Sequence, residues 1–124
     1  MHTKICNNAD GIFRISSKWD VVVVPFPFTD INKAKPRPAL VLSNESFNEK
    51  NGHSVLLMIT TASNINWTND VKITELETTG LDTASVIRMK MFTIDNRIIK
   101  KKIGALGLRD RKALSKAVSS TLAD

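Results

Sequence analysis

The fold is decided by an apolar stretch near the N-terminus, which reads Trp19-Asp-Val-Val-Val-Val-Pro-Phe-Pro-Phe-Thr-Asp30. Its consecutive valines are typical of a strand, because β-branched side chains suit a pleated backbone. Pro25 and Pro27 have no N–H to donate to a ladder, so they place the end of the strand at an edge, a bulge or a strand exit. We therefore predict a strand over residues 20–28.

Further along the chain, apolar segments alternate with polar, turn-rich segments. The apolar segments predict strands over residues 39–43, 54–61, 70–74, 84–91 and 101–106. Loops or connectors are predicted over residues 29–38, 44–52, 64–69 and 92–99, with a turn at Thr79-Gly80. Helical periodicity occurs at the C-terminus, where Gly107 can cap a face that carries Leu114, Ala117, Val118, Thr121 and Leu122. The pattern predicts a small, mostly antiparallel β-barrel with a C-terminal α-helix.

The bulk composition fits one globular domain with an anionic partner. The chain has 124 residues, 42% of them hydrophobic and 24% charged, and its net charge is +6. A basic surface favours nucleic acid, an acidic polypeptide or a membrane surface, and the lack of a long amphipathic basic helix disfavours the membrane. Cys6 is the single cysteine, the longest apolar run is too short to span a bilayer, and no signal-peptide core is present. We therefore predict a cytoplasmic protein.

Most signatures of cofactor and metal chemistry are missing from the sequence. It has no glycine-rich phosphate loop, no Cys-x-x-Cys, no His-Glu-x-x-His and no carboxylate cluster spaced for a metal. The two histidines, His2 and His53, lie in a tail and at a loop end, where solvent exposure is the simpler interpretation. We therefore predict neither a metal nor a cofactor.

A basic segment between the first two strands is the first candidate site. Lys33, Lys35 and Arg37 are interleaved with Pro36 and Pro38. The prolines restrict the backbone on both sides of Arg37, and an arginine held in this way can grip a phosphate with its planar guanidinium. The alternative is an ordinary solvated loop charge.

The strand over residues 84–91 is the second candidate. Alternation predicts a core face with Ile87, Met89 and Met91, and an opposite face with Val86, Arg88 and Lys90. The two cations side by side form a possible phosphate platform, and the alternative is a solvated outer face. Thr60 and Thr61, at the end of an apolar strand, are the third candidate, since their hydroxyls can bind a phosphate or a 2′-hydroxyl or simply close the strand end.

These segments resemble, in order, the blocks of the PemK/MazF-like toxins. The opening stretch is similar to their Gly-Asp-Val-Val and Pro-Phe-Pro-Phe-Thr-Asp, and the second block reads Arg37-Pro-Ala-Leu-Val-Leu-Ser43. The later blocks are Ile59-Thr60, Ser85-Val-Ile-Arg88 with Phe92-Thr-Ile-Asp95, and Lys102-Ile-Gly104. The resemblance runs from residue 19 to the C-terminus, so it implies a toxin domain over residues 19–124 after an N-terminal extension over residues 1–18.

The resemblance implies a twisted SH3-like barrel of the type found in the CcdB, MazF and PemK toxins, paired into a homodimer. It implies the toxin of a type II toxin–antitoxin system, which cleaves single-stranded RNA or mRNA without metal and thereby inhibits translation and growth. The products would carry 2′,3′-cyclic phosphate and 5′-hydroxyl ends. The implied partner is an antitoxin whose acidic C-terminal tail competes for the cationic groove, and with which such toxins bind DNA.

The resemblance also implies roles for individual residues. Arg37, Thr60 and Arg88 match catalytic positions. Because the pKa of arginine exceeds about 12, both arginines are expected to stabilise developing charge, with one of them a candidate proton donor, and not to act as the base. The predicted RNA-binding residues are Asp30, Lys33, Lys35, Thr61 and Lys90, and Asp30 is also a candidate base.

The sequence departs from the family pattern at two positions. Trp19 stands where these toxins usually have glycine, and Lys90 stands where PemK-type members often have an acidic residue. A non-catalytic, basic nucleic-acid-binding module is therefore one alternative. A gyrase-directed toxin of the CcdB type is another, although its tryptophan-containing C-terminal tail has no counterpart in Ser-Ser-Thr-Leu-Ala-Asp.

Overall fold

A computed structural model describes residues 14–27, 31–63 and 66–124. Within these residues the elements, in chain order, are β1 (Asp20–Phe26), β2 (Lys35–Val41), α1 (Glu45–Asn51), β3 (His53–Thr61), β4 (Val71–Lys72), β5 (Ser85–Asp95), β6 (Lys101–Ala105) and α2 (Leu108–Leu122). Short 3-10 turns cover Ile31–Lys33, Leu76–Thr78 and Asn96–Ile98. The strands form one antiparallel sheet in the order β4-β5-β3-β2-β1-β6. The predicted mostly β fold with a C-terminal helix is confirmed.

The sheet curls into a half-barrel that buries apolar side chains on both faces. One cluster contains Val21, Leu40, Leu57, Ile59, Val71, Ile73, Ile87, Leu106 and Leu114. The other contains Val22, Val24, Ala39, Val41, Leu56, Met58 and Ile94. Because successive residues of a strand point to opposite faces, the run of valines in β1 supplies both clusters.

Helix α2 covers the first cluster through a narrow apolar stripe. Leu114 is fully buried, and Ala117 and Val118 pack against the same cluster. Leu122 is 67% exposed, so the predicted face ends one turn earlier than its spacing indicates. The buried carboxylate of Asp110 accepts hydrogen bonds from the Thr74 N–H (2.9 Å), the Thr74 hydroxyl (2.7 Å) and the Glu75 N–H (3.0 Å), which fastens the helix to the segment after β4.

Two predicted connectors have regular structure. The segment predicted as a loop over residues 44–52 contains α1, which begins after the N-cap Asn44, whose side chain accepts a hydrogen bond from Phe47 N, and ends at Gly52 with φ +67°. An asparagine cap and a left-handed glycine are helix signals, but the polar composition of the segment hid them. The connector predicted over residues 92–99 is also wrong, because β5 continues to Asp95 and a 3-10 turn follows.

Trp19 adopts an unusual backbone conformation just before β1. Its φ is +82°, in the left-handed region that glycine occupies without steric cost. The conformation is held by two hydrogen bonds, from Trp19 N to Val41 O (2.8 Å) and from Leu106 N to Trp19 O (2.9 Å), and the indole packs against the first cluster. This left-handed conformation explains why related toxins usually have glycine at this position.

The segment before Trp19 also contacts the fold. Asn48 Nδ2 donates to Ser16 O (2.8 Å), so residue 16 already contacts α1.

The curl of the sheet brings the turn after β4 against β6. The Thr78 hydroxyl donates to Ala105 O (2.9 Å), and Gly104 lies directly against the backbone of Thr78 and Thr79. A Cβ atom on residue 104 would overlap that backbone. Close approach of the two segments therefore requires glycine at this position.

We expect Gly104→Ala to lower the free energy of unfolding by roughly 1–3 kcal/mol, because the backbone of the neighbouring turn has to move. Chemical denaturation measures this change. Gly52→Asn is the matched control: asparagine tolerates a left-handed conformation, nothing lies within 4 Å of the added Cβ, and the expected loss is less than about 0.5 kcal/mol. Equal losses in the two variants would contradict the packing argument.

Candidate functional site

The candidate site lies where strands β2 and β3 separate. Their ladder pairs Ala39 with Met58, Leu40 with Leu57 and Val41 with Leu56, and it goes no further toward the start of β2. Continuing the same register by two residues would place Arg37 opposite Thr60. Both residues therefore lie at the point where the strands part, and both line the same depression.

Pro36 and Pro38 explain why the ladder stops there. Leu42 N donates to Val55 O (2.8 Å), and in an antiparallel strand every second residue directs its backbone groups to the same neighbour. The backbone groups of Leu40, Pro38 and Pro36 therefore point toward β3. The two prolines have no N–H to donate to that strand. Meanwhile β1 pairs with this half of β2, as Val24 with Arg37 and Phe26 with Lys35. The basic segment predicted as a loop is thus largely strand, and Arg37 is on it.

A depression of about 310 Å³ opens at this separation. It is lined by Phe26, Pro27, Arg37, Met58, Ile59, Thr60, Arg88 and Lys90. Four of the predicted site residues, Arg37, Thr60, Arg88 and Lys90, are thereby brought together from three strands. Among the described residues, this lining contains three cations and no carboxylate, which is the composition of an anion-binding site.

A second depression, of about 480 Å³, adjoins the first and shares Arg37, Ile59 and Thr60 with it. Its other lining residues are Val23, Pro36, Pro38, Thr61, Gly80, Leu81, Asp82, Thr83, Ser85, Lys101 and Ile103. Among the residues of this lining, Asp82 is the one carboxylate. The two depressions lie on opposite faces of the sheet, because Leu81 and Ile103 of the second pack against the first cluster, whereas Met58 and Phe26 of the first belong to or pack against the second cluster. They approach each other where β2 and β3 separate, and the first depression, with its three cations, is called the groove below.

A bulge in β5 places Arg88 and Lys90 in the groove. The ladder with β3 pairs Leu57 with Met91 and Ile59 with Ile87, so three residues of β5 lie between partners that enclose a single residue of β3. Such a bulge bends a strand and redirects its side chains. It also disrupts the predicted alternation: Met91 is 39% exposed instead of buried, and Val86, on the predicted outer face, is 6% exposed.

Arg88 is held in place by a carboxylate of the neighbouring loop. Its Nε donates to Asp70 Oδ1 (3.2 Å) and its Nη2 to Asp70 Oδ2 (2.9 Å), and the two side chains are only 16% and 7% exposed. The side-chain hydrogen bond from Arg88 lowers the pKa of Asp70 below its ordinary value, against the opposing effect of burial. The same bond raises the pKa of Arg88. Sequence reasoning missed Asp70, although the pairing of Val71 with Ile87 sets it opposite Arg88.

Two aromatic rings accompany these cations. The Arg88 guanidinium lies 5.0 Å from the ring centroid of Trp67, and Lys90 Nζ lies 5.8 Å from the same ring and 5.6 Å from the ring of Phe26. Phe26 also packs against Phe92, with ring centroids 6.0 Å apart. Lys90 is thus positioned between two rings, and the order of residues along the chain gave no indication of this arrangement.

The remaining predicted residues lie at the margin of the groove or outside the described chain. Thr61 lines the second depression, whereas Lys33 and Lys35 are exposed and line neither. Asp30, Cys6 and His2 lie outside the described residues, and so do positions 64 and 65 of the predicted loop. His53 is exposed. No group of three or more potential metal-ligating side chains occurs among the described residues, and none of their helices is long and apolar enough to cross a membrane.

The ion pair of Asp70 with Arg88 predicts a pH dependence of stability. Because the pKa of Asp70 is lowered by folding, the pair stabilises the fold above the ordinary value of 3.8, and this contribution is lost as the pH falls toward the lower folded pKa. We expect Asp70→Asn to melt below the wild type at pH 7 and the difference to shrink below pH 3.8.

Thermal unfolding across this pH range measures the effect. Asp82→Asn is the control, since Asp82 is exposed and its described hydrogen bond is to the neighbouring Thr83 hydroxyl at 3.4 Å. A difference between wild type and Asp70→Asn that stays constant at acid pH would contradict the assigned pairing.

Comparison with known proteins identifies the family. Residues 17–122 match the family described as the PemK-like, MazF-like toxin of type II toxin–antitoxin systems. No curated protein matches the chain in sequence.

Solved structures agree with this fold. The toxin MazF-mt6 of Mycobacterium tuberculosis is 22% identical, with a TM-score of 0.65 over 82% of this chain and 93% of that one. A MazE-MazF complex from Deinococcus radiodurans (17%, TM-score 0.68, 88% and 96%) and a mycobacterial endoribonuclease in complex with its cognate antitoxin (16%, 0.68, 87% and 93%) are also similar. The family match covers most of the chain, which therefore belongs to the PemK-like, MazF-like toxins of type II toxin–antitoxin systems.

Proposed function

We propose that this toxin is an endoribonuclease that cleaves single-stranded RNA without a metal ion. The observation that carries the proposal is the meeting of Arg37 and Thr60 at the separated ends of β2 and β3, beside Arg88 and Lys90. In the proposed reaction the 2′-hydroxyl oxygen attacks the adjacent phosphorus and the bond to the 5′-oxygen breaks. The 2′-hydroxyl loses its proton to a base and the leaving 5′-oxygen gains one, with Arg37 as the candidate donor. The products are therefore a 2′,3′-cyclic phosphate and a 5′-hydroxyl, and the step needs neither water nor a redox partner.

Arg37 is proposed to stabilise the charge that develops on the phosphate. Its side chain is exposed and lines the groove, and its Nε donates a long hydrogen bond of 3.4 Å to Phe26 O. A planar cation on a strand is better positioned than one on a loop, because its backbone is fixed by the ladder with β1. Thr60, across the strand separation, would hold the 2′-hydroxyl or a phosphate oxygen through its own hydroxyl.

Arg88 is proposed to contribute charge and not a proton. Its pKa is raised by Asp70, which makes the guanidinium a weaker acid. Asp70 also offsets one positive charge, so the three lining cations leave a net charge of about +2 at the smaller depression. Lys90 supplies the more accessible charge, and Lys33, Lys35 and Thr61 are proposed as RNA contacts outside the centre. Asp30, which lies outside the described residues, keeps its predicted role as an RNA contact.

The proton of the 2′-hydroxyl requires an acceptor, and we assign that role to Asp82. Asp82 is the one carboxylate in the described linings of the two depressions, and it is exposed to solvent. It lies in the depression on the opposite face of the sheet from Arg88 and Lys90, so it would reach the 2′-hydroxyl through the separation of β2 and β3. A carboxylate is a competent general base when it lies within reach of the reacting hydroxyl. Related toxins often have an acidic residue at the position of Lys90, and a lysine cannot take the place of that carboxylate. Asp82 would supply the carboxylate instead.

The partners are proposed by analogy. Two of the similar structures contain a MazF-type toxin or an endoribonuclease together with an antitoxin. We infer an antitoxin whose acidic C-terminal tail occupies the cationic groove of this basic chain, with net charge +6. A homodimer, DNA binding together with the antitoxin, a cytoplasmic location and growth inhibition through loss of mRNA complete the proposal.

We expect the purified wild-type toxin to cleave single-stranded RNA in EDTA, and Arg37→Ala to lower the rate by roughly 10²–10³-fold, the cost of removing one donor to developing charge. Electrophoresis of end-labelled RNA measures the rate and identifies the product ends. Arg37→Lys should be intermediate, since lysine keeps the charge but loses the fork.

A second candidate function, a non-catalytic nucleic-acid-binding module, is favoured by the replacement of an acid by Lys90. Intact RNA at high wild-type concentration, together with tight retention of the same RNA, would establish that function and exclude the proposed cleavage. Cleavage that survives Arg37→Ala would instead remove Arg37 from the mechanism.

We expect Asp82→Asn to lower the cleavage rate by roughly 10²-fold or more while RNA affinity is kept, because the variant loses a proton acceptor and not a phosphate contact. Glu77→Gln is the matched control, since Glu77 is exposed in the preceding 3-10 turn and lines neither depression. Equal activity of the two variants would show that another group accepts the proton.

A further inference from the structure

Trp67 contributes to neither the core nor the proposed chemistry, yet it is held beside the groove. It is 44% exposed, whereas the other tryptophan, Trp19, packs against the first hydrophobic cluster. Single exposed apolar side chains are common, so the informative feature of Trp67 is its position beside the cations of the groove.

The position of Trp67 is fixed by a short turn. Trp67 N donates to Asp70 Oδ2 (2.9 Å), and Asp70 N donates to Trp67 O (3.2 Å). The same carboxylate holds Arg88 through two hydrogen bonds. A single side chain, Asp70, therefore connects the turn that carries the indole to the strand that carries the cations.

The cations also define which chemistry the exposed ring is suited to bind. Arg88 and Lys90 lie 5.0 and 5.8 Å from its centroid, and Lys90 lies between Trp67 and Phe26. An anion bound by Arg37 and Lys90 would therefore lie close to a partly exposed aromatic side chain. Aromatic rings interleaved with cations are the usual platform for single-stranded nucleic acid, whose planar bases alternate with phosphates.

We propose that Trp67 is a base-stacking residue, on which one unpaired nucleobase lies while the neighbouring phosphate is bound by Arg37 and Lys90. The inference rests on the proposed function and adds a subsite to it. A nucleic acid fits this site better than an acidic peptide, because a run of carboxylates would match the cations but offers no planar ring to the indole. Since stacking requires a base outside a duplex, Trp67 would also select for single strands.

The test measures binding and not cleavage. Short 2′-O-methyl oligonucleotides lack the attacking hydroxyl, so they report affinity alone. We expect Trp67→Ala to weaken their binding roughly 5- to 150-fold, the range for loss of one stacked base, and Trp67→Phe to remain within a few-fold of wild type. Phe47→Ala is the matched control, because Phe47 is a similarly exposed aromatic residue (42%) on α1.

Two further readouts separate stacking from a structural role. Removing one base at a time from the oligonucleotide should reveal a single position at which Trp67→Ala has no additional effect. In a Trp19→Phe background the emission comes from Trp67, and stacking on a base should quench it when the oligonucleotide binds. A merely structural role for the indole would give neither result.

Each outcome is decisive. Unchanged oligonucleotide affinity in Trp67→Ala would overturn the inference, and so would equal losses of affinity in Trp67→Ala and Trp67→Phe. A Trp67→Ala variant that binds polyglutamate more weakly but the oligonucleotide as tightly as wild type would also overturn it. Wild-type cleavage of RNA together with unchanged binding in the Trp67 variants would refute stacking alone. Binding that depends on Trp67 without any RNA cleavage would instead refute the proposed reaction and leave the stacking subsite established.

Discussion

The candidate site depends on two hydrogen-bond donors that β2 lacks. Pro36 and Pro38 occupy the positions whose N–H groups would have continued the ladder to β3, so the strands separate at Arg37 and Thr60. The other edge of β2 remains paired with β1, which keeps Arg37 on a fixed backbone. One local constraint thus both opens the groove and orders the cation at its centre.

The fold was largely predictable from the sequence because its signals are strong and local. The valines of β1, the apolar segments of β2 and β3 and the spacing of Leu114 and Val118 in α2 correspond to observed elements. Arg37, Thr60, Arg88 and Lys90 were also selected from the sequence, and the structure brings them together. Resemblance to a family supplied their grouping, since they come from three strands that are distant along the chain.

What the sequence could not provide is geometry created by irregular structure. The bulge in β5 follows from its register with β3, and no residue pattern marks it. Helix α1 was hidden by its polar composition, although Asn44 and Gly52 are its proper caps. Asp70 and Trp67 lie in a segment that composition describes simply as a polar loop, so only the folded chain reveals that they adjoin Arg88 beside the groove.

The connection through Asp70 divides the groove into parts that can change independently. Arg37 and Thr60 belong to strands that also build the hydrophobic clusters, so substitutions there affect stability as well as chemistry. The turn from Trp67 to Asp70 is joined to β5 by the Asp70 carboxylate and by the contacts of Arg88 and Lys90 with the indole, and its described residues supply no side chain to the hydrophobic clusters. Replacing that turn is therefore a route by which such a fold can change its substrate specificity while Arg37 and Thr60 stay in place.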